Sequence, residues 1–384
     1  MSEKKNDLLF LLVVTLFWFS QYVFVPFLSP HLAALGTAAS AAGVILGAYG
    51  FSQLVLRIPV SVGEDCVGHD RLFMIAGLLA LVIGNVLPVF SDAPAVYLVS
   101  RTLAGVSAST WVSFTVSFTR GHEQVKPRMG RLIAANNLGV LMSYILGGVL
   151  YQWLGMKPLF VLSSLIGLTA LLVLPLCKIN SLEQKRTFRL RSVVEVILNR
   201  HLLLCSFMGA LVQLIGFATS MSFVNNYAQL NGISGFGLSL VAIAFYVAGV
   251  AGSTAFSKGL FSRMSERTFM ALGFAVLAAY CAMLPLCTSL AAIILAQLVG
   301  GVGRTLLYTH LMAVSPAKVS AEQKTTAMGV FQSIYSLGMT MGPVVMGWLL
   351  DSTSANYTIA FLCVAAFAVA GAVWSLVSWP RERG

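Results

Sequence analysis

Twelve apolar runs, most of them about as long as a bilayer core is thick, limit what this chain can fold into. They occupy residues 8–30, 38–60, 72–90, 95–119, 132–154 and 158–177, then 202–227, 236–257, 268–288, 290–314, 325–350 and 357–379. A helix needs about 20 apolar residues to cross hydrocarbon. The runs reach or approach that length and lack the alternation of a membrane strand. Gly and Pro inside them are compatible with membrane helices, where neighbouring helices satisfy the freed backbone groups. The chain is 58% apolar and only 10% charged over its 384 residues. Soluble domains carry about 25% charged residues, so this chain lacks the charges to cover a soluble surface. The expected fold is an all-α membrane protein with twelve transmembrane helices. The first run follows MSEKKND, yet it is longer than a signal-peptide core and has no small-residue cleavage site. It is expected to be a retained helix.

Charge orients the spans. The formal net charge is +11, which in a soluble protein would point to nucleic acid. Here the basic residues fall between spans and almost all on one side. Lys4, Lys5, Arg71, Arg120, Lys126, Arg128, Arg131, Lys178, Lys185, Arg186, Arg189, Arg191 and Arg200 lie there, as do Lys258, Arg263, Arg267, Lys318, Lys324, Arg381 and Arg383. The other side keeps only Lys157 outside a span. The positive-inside rule then puts both termini in the cytoplasm of a cell with the protein in its inner membrane. Nucleic acid is not an expected partner. The six cysteines show no paired metal-ligand spacing and are expected to be small apolar fillers.

The chain also repeats itself. The stretch from Gly130 aligns with that from Gly329, an offset of 199 residues, placing Leu138-Gly139 on Leu337-Gly338 and Gly148 on Gly347. RTLAGV from Arg101 aligns with QLVGGV from Gln297, placing Gly105 on Gly301. Helix five thus corresponds to helix eleven and helix four to helix ten. The expected domains are a six-helix bundle over 1–178, a cytoplasmic linker over 179–200 and a second six-helix bundle over 201–384. A parallel repeat of this kind places a binding site between the halves.

On these residues the chain resembles the major facilitator superfamily over its whole length. The polar knot SVGEDCVGHDR between helices two and three is similar to that family's loop motif, with Asp65, Gly68 and Arg71 as its matching residues and Ser61, Cys66 and His69 departing from it. Helix four supplies the family's R-x-x-x-G as Arg101 and Gly105. Helix eleven carries Gly338, Gly342, Pro343 and Gly347, resembling the Gly/Pro motif of family exporters. That motif normally belongs to helix five, where this chain has Gly139, Gly147 and Gly148 with Ser143 and Tyr144 in place of Gly-Pro. The resemblance implies two pseudo-symmetric bundles, alternating access, and a gating role for Asp65, Gly68, Arg71, Arg101 and Gly105. Read physically, Asp65 is a latch able to bias one of two arrangements of the halves by a few kcal/mol; the bland alternative is a solvated connector.

All thirteen acidic residues lie at termini, loops or helix ends, whereas Arg101 and Arg304 lie within spans. Intramembrane charge marks a functional site by default. Arg57, near the cytoplasmic end of helix two, is expected to snorkel. Arg304 is expected to contact an anionic or electron-rich solute, or else to bond carbonyls structurally. Gln21, Tyr22, Tyr49, Gln53, Asn136, Asn137, Asn225, Asn226, Tyr246, Tyr308, His310, Gln332 and Tyr335 are the polar candidates for a central cavity. Gly139, Gly148, Gly338, Gly342, Pro343 and Gly347 are expected to serve helix packing or hinging.

No nucleophile–base pair, metal-spaced cluster or Walker loop occurs in the sequence. An enzyme, a cofactor and a resident metal are therefore not expected. The expected function is secondary active transport of a small organic solute by a monomer, driven by protons or a counter-solute, with export favoured. Exchange or uptake of an organic anion through Arg101 and Arg304 is the alternative, and a non-transporting membrane sensor is the alternative class.

Overall fold

The computed structural model describes residues 3–120, 125–179, 195–257, 264–320 and 323–379, without side-chain detail at 65–66, 125–126, 256–257 and 325. Most of the linker expected at 179–200 lies outside the described residues.

Among the described residues, twelve long helices form two bundles of six. In the first half they are α1 (Glu3–Ala34), α2 (Ala39–Val67), α3 (Asp70–Phe90), α4 (Pro94–Ser109 continued by Trp111–Thr119), α5 (Val125–Leu154) and α6 (Lys157–Leu176). In the second half they are α7 (Arg200–Leu230), α8 (Phe236–Ser257), α9 (Glu266–Leu286), α10 (Leu290–Val314), α11 (Lys324–Ser352) and α12 (Tyr357–Ser378). Eleven of these are long and apolar enough to cross a membrane as single helices; α4 completes the set in two pieces.

The interruptions have local causes. α4 turns at Thr110, whose Oγ1 donates to Ser107 O at 2.8 Å while Ser109 Oγ donates to Val106 O at 2.6 Å. Such back-bonding hydroxyls compete with the helix ladder and bend it. α1 loosens over residues 23–24, just before Pro26, because Pro26 has no N–H to bond Tyr22 O four residues back and its ring crowds that carbonyl. α7 contains a π-turn at Thr219–Phe223, a feature found mostly at functional sites.

Packing follows the internal repeat. α1 packs on α5 as α7 packs on α11, α2 on α4 as α8 on α10, and α3 on α6 as α9 on α12. The aligned glycines do equivalent work. A Cβ on Gly139 would lie 2.3 Å from Thr15 O of α1, and one on Gly338 would lie 1.8 Å from Ala210 O of α7. Between the halves, α2 lies along α11, α5 along α8, and the outer part of α1 against α7. Leu286 and Phe90, 81% and 80% exposed, are among many large apolar side chains facing outward; lipid is the solvent that accommodates them.

At the basic end of the first half, ion pairs join helix ends. Asp7 accepts from Arg128 at 2.6 Å and pairs with Arg131 at 3.1 Å, and Asp70 pairs with Arg120 at 2.7 Å. Asp70 also accepts from Ser117 Oγ at 2.5 Å.

Candidate functional site

A small cavity lies between the halves, lined by Gln21, Tyr22 and Val25 of α1, Leu46 and Tyr49 of α2, Arg101 of α4, and Phe217, Met221 and Ser222 of α7. Its volume is about 10 Å³, room for roughly one water. Met221 and Ser222 belong to the π-turn of α7, which re-aims that helix toward the cavity. Phe217 faces Tyr49 across the halves with ring planes 16° apart and centroids at 6.5 Å.

Arg101 is the charge of this cavity. It is 5% exposed and its guanidinium sits 4.7 Å from the centre of the Tyr49 ring. Cation–π contact offsets part of the cost of burial, but Nε and Nη1 have no hydrogen-bond partner among the described residues. A buried charged donor left unpaired is costly. Gly105, one turn below, lets α2 approach: a Cβ there would lie 2.4 Å from Tyr49 O. Gln21 donates to Ala104 O at 3.1 Å, fixing α1 on α4.

Two further arginines sit within the bundle. Arg304 donates to Gln213 Oε1 at 2.6 Å, leaves Nε unpartnered among the described residues and lies against Gly216, with Phe245 and Tyr308 rings at 5.9 and 6.0 Å. Arg57 does not snorkel. It is 4% exposed and reaches across to the other half, donating to Gln332 Oε1 and to Tyr335 OH, with Gln53 Oε1 on its own helix as a third acceptor. Snorkelling loses because Gln332, Tyr335 and Gln53 together give the guanidinium acceptors inside the bundle.

The remaining candidates divide by location. Tyr308 and Tyr335 hydroxyls lie 3.5 Å apart beside the Arg57 network. Tyr246 of α8 donates to Asn137 at 2.7 Å and approaches Asn136 at 3.4 Å, joining α8 to α5 rather than lining the small cavity. Asn225 donates to Pro26 O and Leu238 O at 2.6 and 3.1 Å, pinning α7 to α1. Gly148 approaches Ser239, Gly342 approaches Leu214 O, Gly347 approaches Ala39 O, and Pro343 O faces Gly43. Gln213, Phe217, Met221 and Ser222 escaped sequence reading, since one glutamine, one serine and two apolar residues in an apolar helix carry no local signal.

The loop between α2 and α3 carries the polar knot with Gly68 and Arg71. Gly68 ends α2 with φ of 74° and its N–H bonds Glu64 O, a left-handed cap that favours glycine. Arg71 donates to Cys177 O at 2.6 Å. Its neighbour Asp70 holds Arg120. The Asp65 side chain lies outside the described residues.

Two six-helix bundles related by an internal repeat and closing on a charged cavity between them define a membrane transporter. The chain belongs to the Major Facilitator Superfamily, whose family model matches residues 10–286 and 206–384. It is 19% identical over 352 residues to an uncharacterized MFS-type transporter of Methanocaldococcus jannaschii, covering 88% of this chain and 90% of that one. It is 24% identical over 162 residues to the inner membrane transport protein YajR of Escherichia coli, covering 41% and 35% of the two chains. Among solved structures, the nucleoside transporter NupG superposes with a TM-score of 0.79 at 11% identity over 98% of this chain and 100% of that one. A bacterial homolog of the human lysosomal transporter Spinster, in an inward-facing and occupied conformation, gives 0.77 at 15% over 98% and 97%. At these identities the structural likeness establishes the fold.

Proposed function

We propose that this transporter moves a small organic anion by alternating access, with Arg101 and Arg304 as its charge contacts. The observation that carries the reading is Arg101: a buried guanidinium at an inter-half cavity with two nitrogens unpartnered among the described residues. A carboxylate or phosphate is the ligand that matches such a fork. Depth supports a path. At 1.5 Å rise per residue, Arg101, Arg304 and Arg57 lie about 10, 21 and 27 Å from the helix ends on the less basic face. That ladder gives an anion successive charge contacts between the two faces. The near-parallel Tyr49 and Phe217 rings favour an organic body over a bare inorganic ion. A cavity of about 10 Å³ admits no such solute, so the halves must part to load it.

We assign export as the direction, on the exporter-like run Gly338, Gly342, Pro343 and Gly347, and cytoplasmic termini in the inner membrane, on the distribution of Lys and Arg. The test is a melting-shift screen of purified protein with benzoate, salicylate, nucleosides and cationic dyes, followed by flux in proteoliposomes. An aromatic carboxylate should stabilise the protein and be transported. Arg101→Gln should weaken its binding about 10- to 100-fold, the range for a charged hydrogen-bond group, and Arg101→Lys should recover part of it. Selective stabilisation by neutral nucleosides or cations, unaffected by Arg101→Gln, overturns the anion reading.

A further inference from the structure

We propose that a second, separate pocket at the basic end of the second half binds the phosphate of an anionic phospholipid headgroup. The pocket measures about 480 Å³ and is lined by Asn199, Arg200, His201, Leu204, Lys318 and Ser378. Arg200 and His201 open α7, Lys318 lies in the connection after α10, and Ser378 ends α12. Three helix ends therefore meet at one depth, where a bilayer places its headgroups. Among the described residues no carboxylate lines the pocket, and neither Arg200 nor Lys318 forms an ion pair with a described residue. Glu266 on α9 accepts from Trp379 Nε1 at 3.1 Å and is not among the lining residues.

The pocket is built rather than incidental. Asn199 caps α7 by accepting from Leu202 N at 3.0 Å, and its amide donates to Lys318 O at 3.0 Å. One side chain thus holds the two cation-bearing segments together. His201 is fixed by Val314 O at 3.0 Å and by the edge of Trp379, whose ring centre lies 6.2 Å away. Trp379 is itself 3% exposed, so the ring against His201 is held in the protein interior. Two cations, a hydroxyl and an imidazole converge over a leucine, which suits a charged head above an acyl chain. Basic pockets between helices on the cytoplasmic side take anionic headgroups, helped by the negative potential of that leaflet.

Native mass spectrometry of the full-length detergent-purified protein with phosphatidylglycerol or phosphatidylcholine tests this. Phosphatidylglycerol should be retained in preference. Lys318→Gln, an exposed substitution, should lower that preference about fivefold, as expected for one surface cation. Arg200→Gln with Lys318→Gln should abolish it, whereas Arg200→Lys and Arg101→Gln should keep it. Equal retention of the two lipids, or an unchanged preference in Lys318→Gln, overturns the proposal. So does competition by millimolar inorganic phosphate as effective as the lipid, which would make this a free-anion pocket.

Discussion

The two seams between the halves occupy equivalent places in the repeat, yet they are built differently. Along α2 and α11 the backbones themselves meet: Cβ atoms on Gly43, Gly47 and Gly50 would lie 2.3 to 2.6 Å from backbone atoms of Pro343 and Thr340. Along α5 and α8 the contact is made by side chains, with Ser239 Oγ donating to Tyr144 O at 2.8 Å and Tyr246 to Asn137. The first seam is a close glycine contact in its middle, hydrogen-bonded at its two ends by Asp351 to Ala39 and Ser40 and by Arg57 to Gln332 and Ser333 to Leu54 O; the second is a short series of directional side-chain bonds. Small residues let membrane helices approach closely and gain dispersion energy, and the glycine-lined middle of the first seam draws on that rather than on side-chain bonds. Close backbone contact over Gly43, Gly47 and Gly50 is thus what distinguishes the α2–α11 seam, and side-chain contact what distinguishes α5–α8.

The sharpest way to break this contrast is to add one methyl group to each seam. Gly43→Ala places its Cβ 2.3 Å from Pro343 O, a backbone atom that cannot rotate away. Overpacking costs about 1–3 kcal/mol, and the upper end is expected here, with a clear fall in melting temperature and loss of flux. Gly148→Ala meets Ser239 Oγ at 2.3 Å and Phe236 Cδ2 and Ser239 Cβ at 2.7 Å. The hydroxyl and the ring can turn aside and only the Cβ contact needs a backbone shift, so a cost of about 1–2 kcal/mol, smaller than for Gly43→Ala, is expected with most flux retained. Melting and proteoliposome flux on both variants check the order. Equal losses would show that the two seams are alike.

A smaller effect separates the ends of the α2–α11 seam. α2 begins at Ala39 after Ala38, a residue with no side chain able to cap it. The cap comes from the other half: Asp351 Oδ1 and Oδ2 accept from Ala39 N and Ser40 N at 3.1 and 2.9 Å. The bonds hold only while that face is closed. Losing a helix cap costs about 1 kcal/mol, a roughly fivefold shift in a two-state equilibrium. Asp351→Ala should move spin-label distances across this face toward the open population by that factor, and Asp351→Asn, which keeps an acceptor, by less. Unchanged distances in Asp351→Ala would remove the cap from the gate.

What the sequence made legible is what repeats along it. Apolar length gave twelve spans because hydrocarbon thickness is a one-dimensional constraint, and the offset of 199 residues anticipated that Gly139 and Gly338 would pack equivalently. The alignment of RTLAGV with QLVGGV, at an offset of 196, put Gln297 where the first half has Arg101. Gln297 is fully engaged, accepting from Tyr280 and Ser220 and donating to Val241 O, while Arg101 keeps two nitrogens unpartnered among the described residues. Symmetry therefore locates the position but not its charge. Contacts such as Arg57 to Gln332 or Asp351 to Ser40 join residues hundreds apart and leave no periodic trace. The break in α4 at Thr110 was hidden inside one continuous apolar run, because hydropathy does not register a hydroxyl that turns back on its own helix.

The smallest effect belongs to a charge pair on the same face as Asp351 that bridges no seam. Asp92, in the turn before α4, accepts from Lys157 at the start of α6 at 3.1 Å, and Tyr97 OH donates to it at 3.1 Å. The Lys157 hydrogen bond, with help from Tyr97, holds the Asp92 carboxyl below its ordinary value. A carboxyl lowered by folding stabilises the fold above the unfolded value of 3.8, and the contribution fades as pH falls through the lowered value. Both side chains are well exposed, 52% and 39%, so solvent screening keeps the pair below ~1 kcal/mol. Asp92→Asn should therefore leave melting at pH 7 nearly unchanged and flatten only its acid limb. It should leave distances across the face as they are, because both partners ride on the same half. A shift as large as that of Asp351→Ala would mean that the face senses charge in general, and the distinction between seam and flank would fall.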